Sequence, residues 1–225
     1  MDPVQMAESF GQSDLYQNMP PPMQTALFLG ALVFLPMLLV TVTAFTRIVI
    51  VLGFVRRAVT TQEVPPNLVI TGLSLFLTLF VMGPTLDEIG AKAITPYQDH
   101  KITKPEAVRQ GVAVLHHFMI RQTRKQDLAL FLHLAAVDRP QEPKDVPIRV
   151  LIPAFVISEL KTAFIMGFCI YLPFLLVDLV VASVLTALGI VTMPPVIISA
   201  PFKLLLFVLA DGWHLVVRAL SLSFQ

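Results

Sequence analysis

Charge is scarce in this chain. Asp, Glu, Lys and Arg make up 14% of its 225 residues, against 56% hydrophobic residues and a mean hydropathy of +0.77. A single soluble core cannot hide that much apolar surface, which excludes an ordinary water-soluble globule and puts the chain in or against a membrane. The charges nearly cancel, sixteen basic against fifteen acidic for a net +1. Bulk charge therefore argues against nucleic acid or an acidic ligand as partner. Cysteine is almost absent: Cys169 alone allows no intrachain disulfide, fits no metal spacing and reads as a small core hydrophobe. There is no G-x-S-x-G, no H-E-x-x-H and no paired Asp or His motif, so an intramembrane enzyme lacks its nucleophile, base or metal ligands. Nothing marks a nucleotide site or any other cofactor. His116 and His117 are adjacent and point to different helix sides, and with His133 they read as satisfied histidines without a metal role.

Basic residues are also missing from the start. Residues 1–24 form a polar lead with Asp2, Glu8 and Asp14, no Lys or Arg, no apolar h-region and a closing Pro20-Pro21-Pro22. Those features exclude a secretory signal peptide, so insertion is expected to rely on the first apolar stretch itself, Ala26 to Phe45, with Pro36 as a tolerated kink.

Long apolar runs are what the chain does have. After Ala26 to Phe45 the pattern is interrupted by Arg47, resumes as IVIVLGFV and ends at Arg56-Arg57. A second run, Leu68 to Leu86, is expected to end at Asp87-Glu88, and Pro65-Pro66 marks the corner of a first helical hairpin over 25–86. Arg47, Arg56 and Arg57 flank that corner with no base before them, which predicts an outside N-terminus. Residues 87–149 would then also lie on the periplasmic side.

Residues 87–149 differ in character, holding ten of the sixteen basic residues, eight of the fifteen acidic ones and four of the five histidines. They read as a small water-facing helical insertion. Thr103 and Glu106 have capping-box spacing with Pro105 in the first turn, and Val108, Val112, Leu115 and Met119 follow at helical spacing. In RQTRKQDLALFLHLA, Arg121, Arg124 and Lys125 share a face, with Leu128, Phe131 and Leu132 on an apolar one. That basic face suits either solvent or a docking subunit. Pro140, Pro143 and Pro147 make a stiff linker back to the apolar part.

The last part, 150–225, reads as a second, longer hairpin. Pro153 to Leu188 is one helical pattern, with Pro173 and Gly189 as candidate kink and stop; as a helix it reaches roughly 54 Å, nearly twice a ~30 Å hydrocarbon core. Pro194 and Pro195 make the turn, and a second helix is expected over Val196 to Leu222. Glu159, Lys161, Asp178 and Lys203 lie on these apolar segments, where each would cost ~2.5–3.5 kcal/mol facing lipid at mid-membrane. Pairing is therefore expected, and antiparallel reach suggests Glu159 with Lys203 and Lys161 with Asp178, within one chain or between subunits. A proton or ion pathway is the alternative use of such charges, in a small-solute or ion transporter. Only the echo VPPNLVIT against MPPVIIS hints at the internal repeat a carrier would carry.

The segments AFTRIVIVLGFVRRAV, VPPN, LFLTLFVMGP, FMIRQTRKQDLALF, SELKTAFIMGF, YLPFLLVDLVVASVL, ALGIVTMPP and PFKLLLFVLADGW, in that order from about Thr25 onward, resemble the FliP family of flagellar type III export gates. RQTRKQDLALF resembles the flagellar branch more than the related virulence-injectisome branch. The resemblance implies an all-α protein of the bacterial inner membrane at the flagellar basal body. It implies a homo-oligomer, expected to be a pentamer, with FliQ-like and FliR-like subunits and FlhB-like and FlhA-like components. Unfolded flagellar proteins would pass through it. It also assigns the turn Gly189, Ile190, Val191, Thr192 and Met193 to the family's methionine-rich pore-constricting loop. Here only Met193 keeps the thioether, and Ile190 and Val191 predict a stiffer seal.

Overall fold

Long stretches without Gly or polar breaks favour helices, and every regular element among the described residues is helical. The computed structural model describes residues 20–26, 29–30, 40–59, 65–137, 140, 142–190 and 192–224. Most of the polar lead, Pro36 with most of the first apolar run, the link at 60–64 and Val191 lie outside the described residues.

Eight α-helices are named here: α1 Phe45–Val59, α2 Asn67–Ile89, α3 Thr95–Gln98, α4 Lys104–Gln122, α5 Lys125–Leu134, α6 Ile148–Ala187, α7 Pro195–Leu209 and α8 Gly212–Leu222. A π-helical turn, Gly90–Ile94, joins α2 to α3, and a 3-10 turn, Pro143–Asp145, precedes α6. Two helical stretches are long and apolar enough to cross a membrane, Asn67–Gln98 and Ile148–Ala187. The bent pair of α7 and α8 would make a third span if it is counted as one. The first of these runs through Pro84 and past Asp87-Glu88, where the apolar run had been expected to end. A helix needs no apolar residue to continue, and Gly90 and Pro96 are both taken into the helical path, the first in the π-helical turn and the second in the first turn of α3.

The described chain divides into two compact units: Met82–Phe155 grouped with the residues to Thr43, and Ala44–Val81 with Val156–Gln225. In the first, Val114, Phe118 and Met119 of α4 are buried with Leu132, Val146, Leu151 and Phe155. Phe118 and Phe155 meet edge to face at 6.1 Å between centroids, a favoured aromatic geometry. Helix α4 begins where the sequence predicts, after Thr103, but Thr103 makes no side-chain capping bond. Glu106 pairs instead with Arg109 at 3.7 Å. His116 is buried, its Nε2 2.8 Å from the Val146 carbonyl, which ties α4 to the linker.

In the second unit α1 buries Ile48, Val51, Leu52, Val55 and Val59, a stripe at helical spacing. Two glycines set close approaches there. A Cβ on Gly167 of α6 would lie 2.4 Å from the Phe54 ring, and one on Gly212 would lie 2.3 Å from the Phe207 ring. On α2, Ile70, Ser74 and Thr78 are buried at every fourth position. Ser74 Oγ donates to the Ile70 carbonyl at 2.7 Å and Thr78 Oγ1 to the Ser74 carbonyl at 2.6 Å, so both hydroxyls are satisfied by their own helix.

The long helix is as the sequence predicts and slightly longer. α6 runs unbroken for 40 residues through Pro153 and Pro173. The single helix expected over Val196 to Leu222 is corrected: it breaks at Asp211, which takes a left-handed conformation at φ 48, and α7 and α8 meet at 63°. Asp tolerates that conformation better than most residues, and Gly212 leaves room for Phe207.

Candidate functional site

Arg47 and the four charges Glu159, Lys161, Asp178 and Lys203 sort into two buried clusters and one exposed residue, all in the second unit. In the first cluster Glu159 is fully buried and Arg47 is 2% exposed. Arg47 Nε donates to Glu159 Oε2 at 2.9 Å, and Nη2 bonds Glu159 Oε1. This bidentate match of planar guanidinium to carboxylate is the strong form of the pair. Arg47 Nη1 donates to the Ser223 carbonyl at 2.7 Å and meets the Ser223 hydroxyl at 3.0 Å. The guanidinium lies over the Phe224 ring, 3.8 Å from its centroid. One cation thus joins α1, α6 and the segment after α8.

In the second cluster Lys203 Nζ of α7 donates to Asp178 Oδ2 of α6 at 2.6 Å, and the Ser199 hydroxyl donates to Asp178 Oδ1. Lys203 and Ser199 are buried. Ser199 and Lys203 lie four apart, on one helix face.

This pairing corrects the expected one. Glu159 is held by Arg47 in place of Lys203, and Asp178 is held by Lys203 in place of Lys161. Lys161 is exposed and forms no salt bridge among the described residues. It stands two residues from Glu159, and at 100° per residue two positions turn a side chain to nearly the opposite face. Arg47, Ser199, Ser223 and Phe224 were not among the site residues drawn from the sequence. A lone Arg in an apolar run carries the same signal as the other four charges; the serines carry none that a sequence displays.

The turn from α6 to α7 is built by backbone. Gly189 has φ +71; its N–H bonds the Thr186 carbonyl at 3.0 Å and the Ile190 N–H bonds the Leu185 carbonyl at 2.9 Å. These are the two bonds of a Schellman ending, which favours glycine at the left-handed position. Pro194 caps α7 and Pro195 opens it, where a missing N–H costs nothing. Ile190 and Met193 are exposed, at 39% and 49%. Beside the turn lies an apolar cleft of about 550 Å³ lined by Val180, Val184, Leu185, Ile198 and Phe202. At the first corner Pro65 and Pro66 precede α2, and the Pro66 carbonyl accepts from the Val69 and Ile70 N–H groups.

His117 and His133 are exposed, and among the described residues no cluster of three or more His, Cys, Asp or Glu is placed to hold a metal. Two ion pairs locking helix to helix, one of them about thirty residues up α6 from the exposed apolar turn, form an arrangement suited to fixing helix register rather than to bond chemistry.

Comparison with known proteins bears on the same segments. The family model described as the FliP family matches residues 28–220. Flagellar biosynthetic protein FliP of Bacillus subtilis (strain 168) is 53% identical over 189 residues, 84% of this chain and 86% of that protein. Its namesake from Pectobacterium carotovorum subsp. carotovorum is 52% identical over 201 residues, covering 89% and 78% respectively. The one from Aquifex aeolicus (strain VF5) is 49% identical over 201 residues, covering 88% and 84%. A family match across both buried ion pairs and the turn between α6 and α7, with relatives at about half identity over most of their length, shows that this chain belongs to the FliP family.

Proposed function

We propose that the chain is a flagellar biosynthesis component that acts as the pore-forming protomer of a type III export gate, passing unfolded flagellar proteins across the inner membrane. The observation that carries this reading is α6. Its 40 residues form one helix, and only 11% of its most apolar window is buried within the chain. At ~1.5 Å per residue it is roughly 60 Å long against a ~30 Å hydrocarbon core. Acyl chains can cover about half of such a helix, so the remainder calls for protein neighbours of matching chemistry. A ring of sister protomers, five in the expected case, with FliQ-like and FliR-like subunits supplies them, and FlhB-like and FlhA-like components complete the apparatus.

In this reading the turn 189–193 lines the narrowest part of the passage. Exposed Ile190 and Met193 support it, because apolar side chains at a turn tip would otherwise face water. The names of the relatives favour the flagellar over the injectisome branch. The N-terminus and 87–149 lie on the periplasmic side in this proposal; because Arg47 is spent on Glu159, Arg56 and Arg57 carry the charge bias for that orientation.

The test is a stalled export substrate in cells carrying the chain with a photo-crosslinking residue at Ile190 or Met193, or at Leu68 on α2 as control. Crosslinks to substrate from the turn alone, in a particle whose native mass fits several copies, are expected. A solitary monomer or dimer in mild detergent, with no substrate crosslinked at the turn, would sink the gate reading and favour a carrier.

A further inference from the structure

The compact unit of Met82–Phe155 holds a cavity of about 780 Å³ that the gate reading does not use. Leu128, Leu132 and Val146 give it an apolar floor, and Arg121, Lys125 and His133 stand at its edge, all three exposed. Glu142 also lines it, but Lys144 bridges that carboxylate at 2.7 Å. Neither Arg121 nor Lys125 forms a salt bridge among the described residues. An apolar floor under a basic rim whose Lys125 is unbridged and whose Arg121 meets, among the described residues, no carboxylate more closely than in its long-range attraction to Glu88 suits a segment that brings apolar anchors and carboxylates together.

The chain contains one such segment. Residues 1–19 carry Asp2, Glu8 and Asp14 without any Lys or Arg, and place Phe10, Leu15 and Tyr16 among them. We propose that residues 8–16 of the lead dock in this cavity of the same copy, with Glu8 and Asp14 at Arg121 and Lys125 and the apolar side chains on the floor. The inference rests on the lead and 87–149 sharing one side of the membrane.

The full chain is tested in membranes, with Cys169→Ser as background. Leu15→Cys is combined with Ala129→Cys, which lines the cavity, or with Val108→Cys, exposed and ~20 Å before Arg121 along α4. Each single cysteine is first labelled with a membrane-impermeant maleimide; labelling from opposite sides overturns both the shared sidedness and the docking. With both on one side, an intramolecular disulfide is expected for the 15/129 pair and not for 15/108. It should fall roughly tenfold in Arg121→Glu/Lys125→Glu and recover when Glu8→Lys/Asp14→Lys is added. Equal bonding of the two pairs, or indifference to the charge reversals, overturns the docking while sidedness stands. A disulfide joining two copies overturns docking within one copy.

Discussion

Arg47 commits most of its hydrogen-bonding capacity. Its guanidinium serves both oxygens of Glu159, the Ser223 carbonyl and hydroxyl, and the face of Phe224. Removing one partner of a buried pair strands the other, at about 3–5 kcal/mol, whereas replacing both by apolar residues is often near neutral. Glu159→Ala is therefore expected to lower the thermal midpoint of the detergent-solubilised chain sharply, and Arg47→Leu/Glu159→Leu to restore most of it. Equal midpoints for the single and double variants would show that the pair is not buried as described. Gly167 makes a steric prediction at the same scale. Gly167→Ala drives a methyl into Phe54 and should cost about 1–3 kcal/mol, as overpacking does; Phe54→Leu in the same chain should relieve it in the same melting measurement. Residue types at this scale were legible in part. Glu159, Asp178 and Lys203 stand out by charge, but Arg47 lies 112 positions from Glu159, and no local pattern announces a partner at that separation.

Elements were more legible, because helix stops are written in local chemistry. Gly189 and Pro194-Pro195 bound α6 and α7 where expected, through the Schellman bonds and a proline at the first helical position. The break at Asp211 was not legible, since its sign is an ordinary Asp-Gly step, and the close approach of the Phe207 ring to Gly212 appears only in the folded chain. The apolar run does end at Asp87-Glu88 and α2 at Ile89, while the helical path continues to Gln98. Asp87 and Glu88 mark where apolar cover ends, which is a statement about surroundings and not about backbone. Gly189→Ala tests the stop itself. A Cβ at φ +71 is strained, so a loss of about 1 kcal/mol is expected, seen as faster amide exchange at Leu188 and Ile190 with α6 protected elsewhere. Unchanged exchange at those two amides would show that the ending does not depend on glycine.

At the scale of the whole molecule the notable quantity is uncovered apolar surface. Phe76 and Phe80 of α2 and Phe164, Phe168, Leu176 and Leu179 of α6 are all exposed, though a typical soluble monomer shows only small apolar patches. Composition alone gave that conclusion, because a chain this poor in charge has no polar residues with which to cover itself. Lys161 separates folding from assembly. It is exposed and makes no salt bridge among the described residues, so Lys161→Glu should change the stability by no more than about 0.5 kcal/mol, read as a nearly unshifted thermal midpoint. In the proposed ring the same change should reduce the yield of the large particle on a native-mass measurement. An unaltered particle would remove Lys161 from any subunit contact.

The Arg47 cluster also imposes an order on biosynthesis. Ser223 is 176 positions downstream of Arg47, so at about 5–20 residues per second the ribosome delivers it roughly 10–35 s after the arginine it must cover. During that interval the nascent chain holds a cation whose final shelter has not yet been made. A chain cut short before Ser223 would never acquire the carbonyl and hydroxyl that complete the dressing of that cation.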